Sequence, residues 1–368
     1  NGVGSRGAPV LLSPPGLTMA PSWLFLLFIP GMVGSSRSCF PGCQCIVDNF
    51  GLFHSFSLTK VDCSGVGPHV VPVSIPLDTS YLDLSANGIK RINESVLSGP
   101  GYTTLINLNL SHNQIVRISF STFSKLRYLE SLDLSHNLLE TLPDGSFLYS
   151  RLTELDLSSN KLLEVGIGAF TLKSQGRSMT INLGNNNIRS IHRGAERPVP
   201  NIHSLTLSGN DLLSVPDLHG IPLRHLDLDR NPLAKIEKES FLGLEGLTHL
   251  SLSDLPNLRE VSPYSFKTLP SLLDLDLSSN PQLKSLSSDM FFGLDSLQEL
   301  NLAYSGVAAL PKDIMLNLPS MKSITWGENI RCSKTVKESP FHAQKGRVRE
   351  EVLLCHDDYG AVPAQDVL

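Results

Sequence analysis

The sequence predicts an α/β solenoid, in which short repeats stack into an elongated array. Leucine accounts for 63 of the 368 residues, and the leucines recur at fixed positions along most of the chain. The six cysteines lie near the two ends, where an open stack exposes apolar edges that need covering. The chain is also longer than the about 250–300 residues at which a single core stops growing.

The composition excludes several other classes of protein. Hydrophobic residues make up 41% and charged residues 18% of the chain, which is too apolar for a disordered protein. The formal net charge of −5 argues against a nucleic-acid partner, which requires a basic face. The 28 glycines show no period of three, which excludes collagen.

One motif, L-x-L-x-x-N, occurs eleven times at a mean spacing of about 24 residues, with the asparagine replaced in some copies. Its first apolar position is occupied by Leu82, Leu108, Leu132, Leu155, Ile181, Leu205, Leu226, Leu250, Leu275, Leu300 and Ile324. This period is that of a leucine-rich repeat. Alternate leucines point to one side of a short strand. We therefore expect a horseshoe with short parallel strands on its concave face and an irregular or 3-10 helical convex side.

Two further positions of the repeat have predicted structural roles. The asparagine should end the strand and bond backbone groups that the turn leaves unpaired. About ten residues later an aromatic side chain recurs, and we expect these rings to form a buried spine on the convex side rather than a ligand site. The spine residues are Phe123, Phe147, Phe170, Phe241, Phe266 and Phe291.

The first residues resemble a secretory leader. Residues 23–29 are apolar and are followed by the small residues Gly34, Ser35 and Ser36, as at a signal-peptide cleavage site. A buried strand or helix is the alternative interpretation. The apolar run is shorter than the about 20 residues that cross a bilayer, and no later segment reads as a membrane span. We expect residues 1–38 to comprise upstream residues and a signal peptide, and the product to be secreted into the extracellular space.

The cysteines predict disulfide-bonded caps at both ends of the array. They form an N-terminal cluster of Cys39, Cys43, Cys45 and Cys63 and a C-terminal pair of Cys332 and Cys355. An even number suits an oxidised extracellular protein. A zinc site is less compatible with the single residue between the second and third cysteines. Three pairings remain open within the cluster, whereas the last two cysteines would pair with each other.

The predicted organisation follows from the cysteines and the repeats. Residues 39–75 form the N-terminal cysteine-rich cap, residues 76–330 form about eleven leucine-rich repeats, and residues 331–368 form the C-terminal cap and tail.

The cysteine pattern C-x3-C-x-C-x17-C, the repeats and the two-cysteine C-terminal cap together resemble the small leucine-rich proteoglycans over roughly residues 39–355. The resemblance implies the pairs Cys39–Cys45 and Cys43–Cys63. It also implies extracellular partners, namely growth factors of the BMP/TGF-β class, the BMP antagonist chordin and Wnt receptors. Collagen and other matrix components are further partners that it implies.

Acidic side chains with interleaved histidines are predicted to project from the concave sheet. One interpretation is a docking face for a basic or mixed-charge protein, favoured by complementary potential on a rigid scaffold. The other is that these residues are the soluble surface of an exposed sheet. The candidate partner-binding residues are Asp133, Glu154, Asp156, Asp227, Asp229, Asp274, Asp276, His112 and His136.

Other motifs suggest surface modification or contacts with anionic polymers. Asn93 and Asn109 begin N-glycosylation sequons, the first in a predicted convex loop and the second on a concave strand. A basic set near the C-terminus could contact heparan sulfate or could simply be solvated. Its members are Lys334, Lys337, Lys345, Arg347 and Arg349.

Catalytic motifs are absent from the sequence: it holds no metal-binding His-Glu-x-x-His, no G-x-S-x-G elbow and no phosphate-binding loop. We therefore expect no enzymatic activity, cofactor or metal. The favoured function is a secreted protein that modulates growth-factor signalling by binding partners on its concave face. The alternative is a structural matrix component that binds collagen fibrils.

Overall fold

The computed structural model describes residues 39–50, 56–67, 73–174, 176–194, 198–328, 330–338, 349–357 and 360–362. These residues all belong to one structural unit, Ser38–Leu368. The predicted leader, residues 1–38, lies outside the described residues.

Twenty strands and three short 3-10 helices make up the described secondary structure. The 3-10 helices span Ile167–Phe170, Ser288–Phe291 and Ile314–Leu316. The strands are β1 (Gln44–Phe50), β2 (Phe56–Asp62), β3 (Thr79–Asp83), β4 (Asn107–Asn109), β5 (Ser131–Asp133), β6 (Glu154–Asp156), β7 (Glu164–Gly166), β8 (Met179–Asn182), β9 (Ser190–His192), β10 (Ile202–Thr206), β11 (His225–Asp227), β12 (Lys235–Ile236), β13 (His249–Ser251), β14 (Glu260–Val261), β15 (Asp274–Asp276), β16 (Glu299–Ala303), β17 (Ser323–Gly327), β18 (Ile330–Glu338), β19 (Arg349–Asp357) and β20 (Gly360–Val362).

Sixteen of these strands form one sheet in the order β1-β2-β3-β4-β5-β6-β8-β10-β11-β13-β15-β16-β17-β18-β19-β20. Pairing is parallel from β2 to β17 and antiparallel at both ends. Each of the eleven predicted motifs contributes one strand, and the first leucines lie opposite one another, as Leu132 lies opposite Leu155. The predicted solenoid with a parallel concave sheet is confirmed.

Outside the main sheet, the connections between strands are mostly turns. Two additional two-stranded parallel sheets lie there, one of β7 with β9 and one of β12 with β14. These two sheets were not predicted from the sequence.

The core runs the length of the array between the sheet and the connections. The two apolar residues of each motif are buried, and so is the predicted phenylalanine spine, in which every residue is at most 3% exposed. Phe123 and Phe147 on successive repeats stack at 5.8 Å between ring centroids, and Phe241 and Phe266 stack at 5.7 Å. Apolar burial between neighbouring repeats is therefore what holds the array together.

The motif asparagines link neighbouring repeats through hydrogen bonds. The buried Asn137 amide nitrogen donates to the carbonyl oxygens of Leu110 at 2.9 Å and Leu134 at 3.0 Å, and its oxygen accepts from the Ile115 amide. The same arrangement recurs at Asn113, Asn160, Asn186, Asn210, Asn231 and Asn280. The expected role of the asparagine is confirmed, and it satisfies backbone groups in two repeats at once.

The residue just before the asparagine adopts a left-handed conformation in nearly every repeat. Positive φ angles of 50–56° occur at Ala86, His112, His136, Ser159, Asn185, Arg230, Asp254, Ser279 and Tyr304. Residues other than glycine are sterically strained in this conformation. The tight turn into the interior therefore fixes the direction of whatever side chain occupies this position.

Disulfides close both ends of the described structure. Cys39 pairs with Cys45, Cys43 with Cys63, and Cys332 with Cys355. The two N-terminal pairs implied by the family resemblance and the C-terminal pair expected from the cysteine positions are confirmed. At the C-terminal end, the Trp326 indole N–H donates to the Val307 carbonyl oxygen at 3.0 Å. Strand β2 of the N-terminal hairpin pairs in parallel with the first repeat strand, β3, and strand β18 of the C-terminal cap pairs antiparallel with the last repeat strand, β17.

Candidate protein-binding face on the concave sheet

The Asp or Asn side chain between the two apolar residues of most motifs has a structural role that was not predicted from the sequence. The Asp133 carboxylate accepts a hydrogen bond from the Ser135 amide two residues later, at 2.8 Å, and Asp156 accepts from Ser158 at the same distance. This is an Asx turn, which helps to end each strand. The same contact recurs at Asp83, Asn109, Asn182, Asp227, Asp276 and Asn301.

A first acidic cluster consists of Asp133, Glu154 and Asp156 on β5 and β6. Asp133 and Asp156 lie opposite each other in the strand register. Glu154 is exposed, and Ser131 donates to it at 3.3 Å. The structure therefore brings these three predicted residues together on the solvent-facing side of the sheet.

A histidine pair adjoins the first cluster at the carboxyl ends of the strands. The His112 and His136 rings are exposed and stack at 4.2 Å with an interplanar angle of 7°. Both residues occupy the left-handed position of successive repeats, so the turn geometry sets the stack.

A second acidic cluster consists of Asp227, Asp229, Asp274 and Asp276 on and after β11 and β15. Burial raises the pKa of Asp227, and burial together with the nearby Glu299 charge raises the pKa of Asp274. Asp229 accepts hydrogen bonds from the Ser251 hydroxyl and the Ser253 amide, both at 2.7 Å. This carboxylate is therefore committed in part to linking two repeats.

The two acidic clusters are separate on the sheet. Strands β8 and β10 lie between them and carry the uncharged side chains of Thr180, Asn182, Ser204 and Thr206. Three steps between neighbouring strands correspond to about 14 Å. The concave face thus presents two acidic clusters separated by uncharged polar side chains. This arrangement suits a protein partner that contacts a large area of the sheet.

Three histidines form a column beside the second cluster. Ring centroids of His203 and His225 are 5.7 Å apart, and those of His225 and His249 are 4.5 Å apart. Burial, and then the neighbouring imidazoles, lowers the pKa of His225. His225 and His249 line a depression of about 320 Å³ together with Asp227, Asp274 and Asp276.

The contact between these histidine rings was not predicted from the sequence. The signal was present, because His225 and His249 both stand directly before the first leucine of consecutive repeats and are register partners.

The two sequons lie in different environments. Asn93 is exposed in a connection outside the sheet, where its side-chain oxygen accepts from the Ser95 hydroxyl and the Val96 amide. Asn109 is half-buried on β4; its amide nitrogen donates to Asp83 at 3.1 Å and its oxygen accepts from the Ser111 amide. Both halves of the Asn109 amide are thus engaged in the sheet face.

The remaining site predictions concern the C-terminal cap, metals and membranes. Lys334 donates to the Pro319 carbonyl oxygen at 3.2 Å, while Lys345 and Arg347 lie outside the described residues, as do the side chains of Lys337 and Arg349. Within the described part of the chain, no group of three or more His, Cys, Asp or Glu side chains is arranged to hold a metal ion. The same residues include no helix of the length and apolarity that crossing a membrane requires.

Comparisons with known proteins agree with this architecture. The family model described as "Leucine rich repeat" matches residues 103–162, 150–212, 221–280 and 254–307. The fold, the repeats and the disulfide-bonded ends define a capped leucine-rich repeat protein.

The relatives include Tsukushi-A of Xenopus laevis, 88% identical over 347 residues, which cover 94% of this chain and 99% of that protein. Tsukushi of Gallus gallus is 57% identical, covering 91% of this chain and 92% of the relative. Tsukushi of Homo sapiens is 53% identical, covering 91% and 95%. The chain belongs to the Tsukushi family of small leucine-rich proteoglycans.

Proposed function

We propose that the chain is a secreted binding protein that modulates extracellular growth-factor signalling through its concave face. The observation that carries the proposal is the pair of acidic clusters on a rigid parallel sheet. Complementary charge on such a scaffold favours association with a basic or mixed-charge protein. Three disulfides suit an oxidising extracellular environment. The proposed partners are ligands of the BMP/TGF-β class, chordin and Wnt receptors.

The test neutralises the first acidic cluster while preserving its Asx turns. The triple variant Asp133→Asn, Glu154→Gln, Asp156→Asn keeps an acceptor oxygen at each position, so the backbone contacts of the two aspartates survive. Binding to a BMP-type ligand and to chordin is measured by surface plasmon resonance at about 50 mM and about 150 mM salt. We expect about tenfold weaker binding at the lower salt, because three exposed charge contacts are each worth a fraction of 1 kcal/mol.

The matched control removes three exposed carboxylates outside the sheet. Glu239→Gln, Glu245→Gln, Asp295→Asn changes the net charge by the same amount at exposed positions in the connections. This control should bind as the wild type does. Equal affinity of the triple variant and the wild type would show that the first acidic cluster is not the binding site. Strong binding of the wild type to a triple-helical collagen peptide, without binding to the growth-factor partners, would favour the structural-matrix function instead.

We further propose that Asn93 carries an N-linked glycan and that Asn109 carries much less. Asn93 and Ser95 of the first sequon are both exposed, whereas the Asn109 amide is engaged on both sides and Ser111 is only 5% exposed. Peptide mapping of the secreted protein by mass spectrometry, with and without glycosidase, measures occupancy at each site. Higher occupancy at Asn109 than at Asn93 would contradict the expectation.

A further inference from the structure

A basic depression lies at the amino-terminal edge of the concave sheet, where the chain approaches β6 and β8. Arg151 and Arg177 both line this depression, which has a volume of about 300 Å³. Leu152 and Leu172 also line it and are buried, whereas both arginines are exposed. The site therefore combines an apolar floor with two accessible guanidinium groups.

Further cations extend the basic character across neighbouring repeats. Arg127 is exposed on the approach to β5, one repeat before Arg151, and Lys173 is exposed on the connection that leads to β8. Strands in a sheet lie about 4.8 Å apart, so cations on successive repeats follow one another along the edge. We call Arg127, Arg151, Lys173 and Arg177 the basic edge.

Aromatic rings restrict two of these side chains. The Arg151 guanidinium carbon lies 5.5 Å from the centroid of the Tyr128 ring, and the Lys173 ammonium lies 5.8 Å from that of Tyr149. Cation–π contacts of this kind favour defined positions for the charges. Restricting the cations before a ligand arrives reduces the entropy that binding costs.

Nearby carboxylates only partly offset the positive charge. Arg177 forms an ion pair with Glu130 at 2.8 Å, in which the two side chains are 67% and 35% exposed. An ion pair this exposed contributes little and is screened by salt. Glu154 follows on β6, but the Ser131 hydroxyl donates to it on the sheet face. Among the described residues, the four cations of the basic edge therefore have one directly paired carboxylate, that of Glu130.

We propose that the basic edge binds a sulfated polysaccharide. Arg151 and Arg177 would hold one sulfate or carboxylate group at the depression, since a guanidinium donates paired hydrogen bonds to such groups. Arg127 and Lys173 would contact anionic groups on adjoining sugars. A chain with regularly spaced negative charges matches cations that recur along successive repeats.

An acidic peptide fits the same edge less well. Strands β5, β6 and β8 are paired on both sides within the sheet, so none of them offers an open edge for a peptide strand to pair with. The proposal is independent of the concave-face function, because the residues differ and the expected charge of the partner is opposite.

The experiment measures binding of the full secreted chain to immobilised heparin and to a heparan sulfate dodecasaccharide. The principal variant is Arg151→Gln, Arg177→Gln. A second variant, Arg151→Lys, Arg177→Lys, keeps the positive charges but lacks the planar guanidinium groups that donate paired hydrogen bonds. A matched control, Arg117→Gln, Arg259→Gln, removes two exposed arginines from connections elsewhere in the array. A cap variant, Lys334→Gln, Lys337→Gln, tests the basic set near the C-terminus. Melting curves verify the fold of each.

We expect the principal variant to bind about tenfold more weakly, with a smaller dependence of affinity on salt. The lysine variant should lose less, and the matched control and the cap variant should bind as the wild type does. Wild-type affinity in the principal variant, or loss of binding only in the cap variant, would overturn the proposal. Competition by polyglutamate as effective as that by the dodecasaccharide at equal charge would overturn the assignment to a polysaccharide and indicate an acidic protein.

Discussion

At the scale of single residues, the polar side chains of each repeat mainly form hydrogen bonds with the backbone, and only part of their polar surface is available to a partner. The motif asparagine is buried and bonds two repeats, and the aspartate between the leucines closes the turn that follows it. The second carboxylate oxygens of Asp156 and Asp276 accept hydrogen bonds from the Asn182 and Asn301 side-chain amides, both at 3.2 Å, so a partner meets mainly the exposed column of side chains beside the aspartates. Substitutions on this face must therefore keep an acceptor oxygen if they are to report on binding alone, and alanine at Asp133 would disturb both properties.

The histidine column gives a residue-scale prediction on pH. Because the pKa of His225 is lowered below its ordinary 6.5 in the folded chain, the unfolded chain takes up a proton first as the pH falls. The contribution of the neutral His225 ring to the stability of the folded chain is complete above about pH 6.5 and is lost as the pH falls through the pKa of His225 in the folded state. We expect the melting temperature to fall less between pH 7.5 and pH 5.5 in His225→Gln than in the wild type, as measured by circular dichroism.

The groups that neighbour His225 also affect the pH dependence, and a second variant tests their effect. Removing an adjacent imidazole with His249→Gln should also reduce the pH dependence, since that ring is one cause of the lowered pKa of His225. Asp227 and Asp274 have raised pKa values, so their contribution has the opposite sign and acts at lower pH. Identical pH dependence in the wild type and His225→Gln would show that the column does not contribute.

At the scale of elements, the repeat strands were predictable because each carries two leucines at alternate positions, as in Leu132 and Leu134 of β5 and its following turn. The small sheets β7–β9 and β12–β14 were not predictable, since two or three residues such as Glu164–Gly166 show no alternation. The Asx turns and the left-handed positions were missed for a related reason. Aspartate, serine and histidine all occur there, and only the backbone reveals what these positions share.

The phenylalanine spine gives the prediction at this scale. Phe147 is 1% exposed and stacks on Phe123 of the preceding repeat. Phe147→Ala should lower the free energy of unfolding by about 3–5 kcal/mol, because it removes a buried ring and leaves a cavity. Chemical denaturation measures the loss. The control is Tyr149→Ala two residues away, where the ring is 44% exposed and the expected loss is much smaller. Equal losses would mean that the buried phenylalanines contribute no more to stability than an exposed aromatic residue does.

At the scale of the whole molecule, a parallel stack has two ends, and its stability depends on covering them. The N-terminal hairpin of β1 and β2 covers the first repeat, and two disulfides that span different lengths of chain stabilise this cap. Cys43–Cys63 joins residues 20 apart, and the Cys63 side chain is fully buried against the core. Cys39–Cys45 joins residues only six apart near the surface. The longer link constrains the unfolded chain more and also anchors the cap to the repeats.

This difference predicts unequal effects of removing the two disulfides. The paired variant Cys43→Ser, Cys63→Ser leaves no free thiol and should lower stability by about 2–5 kcal/mol, with a marked drop in the amount of protein secreted. The matched variant Cys39→Ser, Cys45→Ser should show a smaller effect on both. Secreted yield by quantitative immunoblot and melting temperature by circular dichroism measure the two outcomes. If the two variants were secreted and melted alike, the cap would act through its hairpin contacts and not through the link from Cys43 to the core.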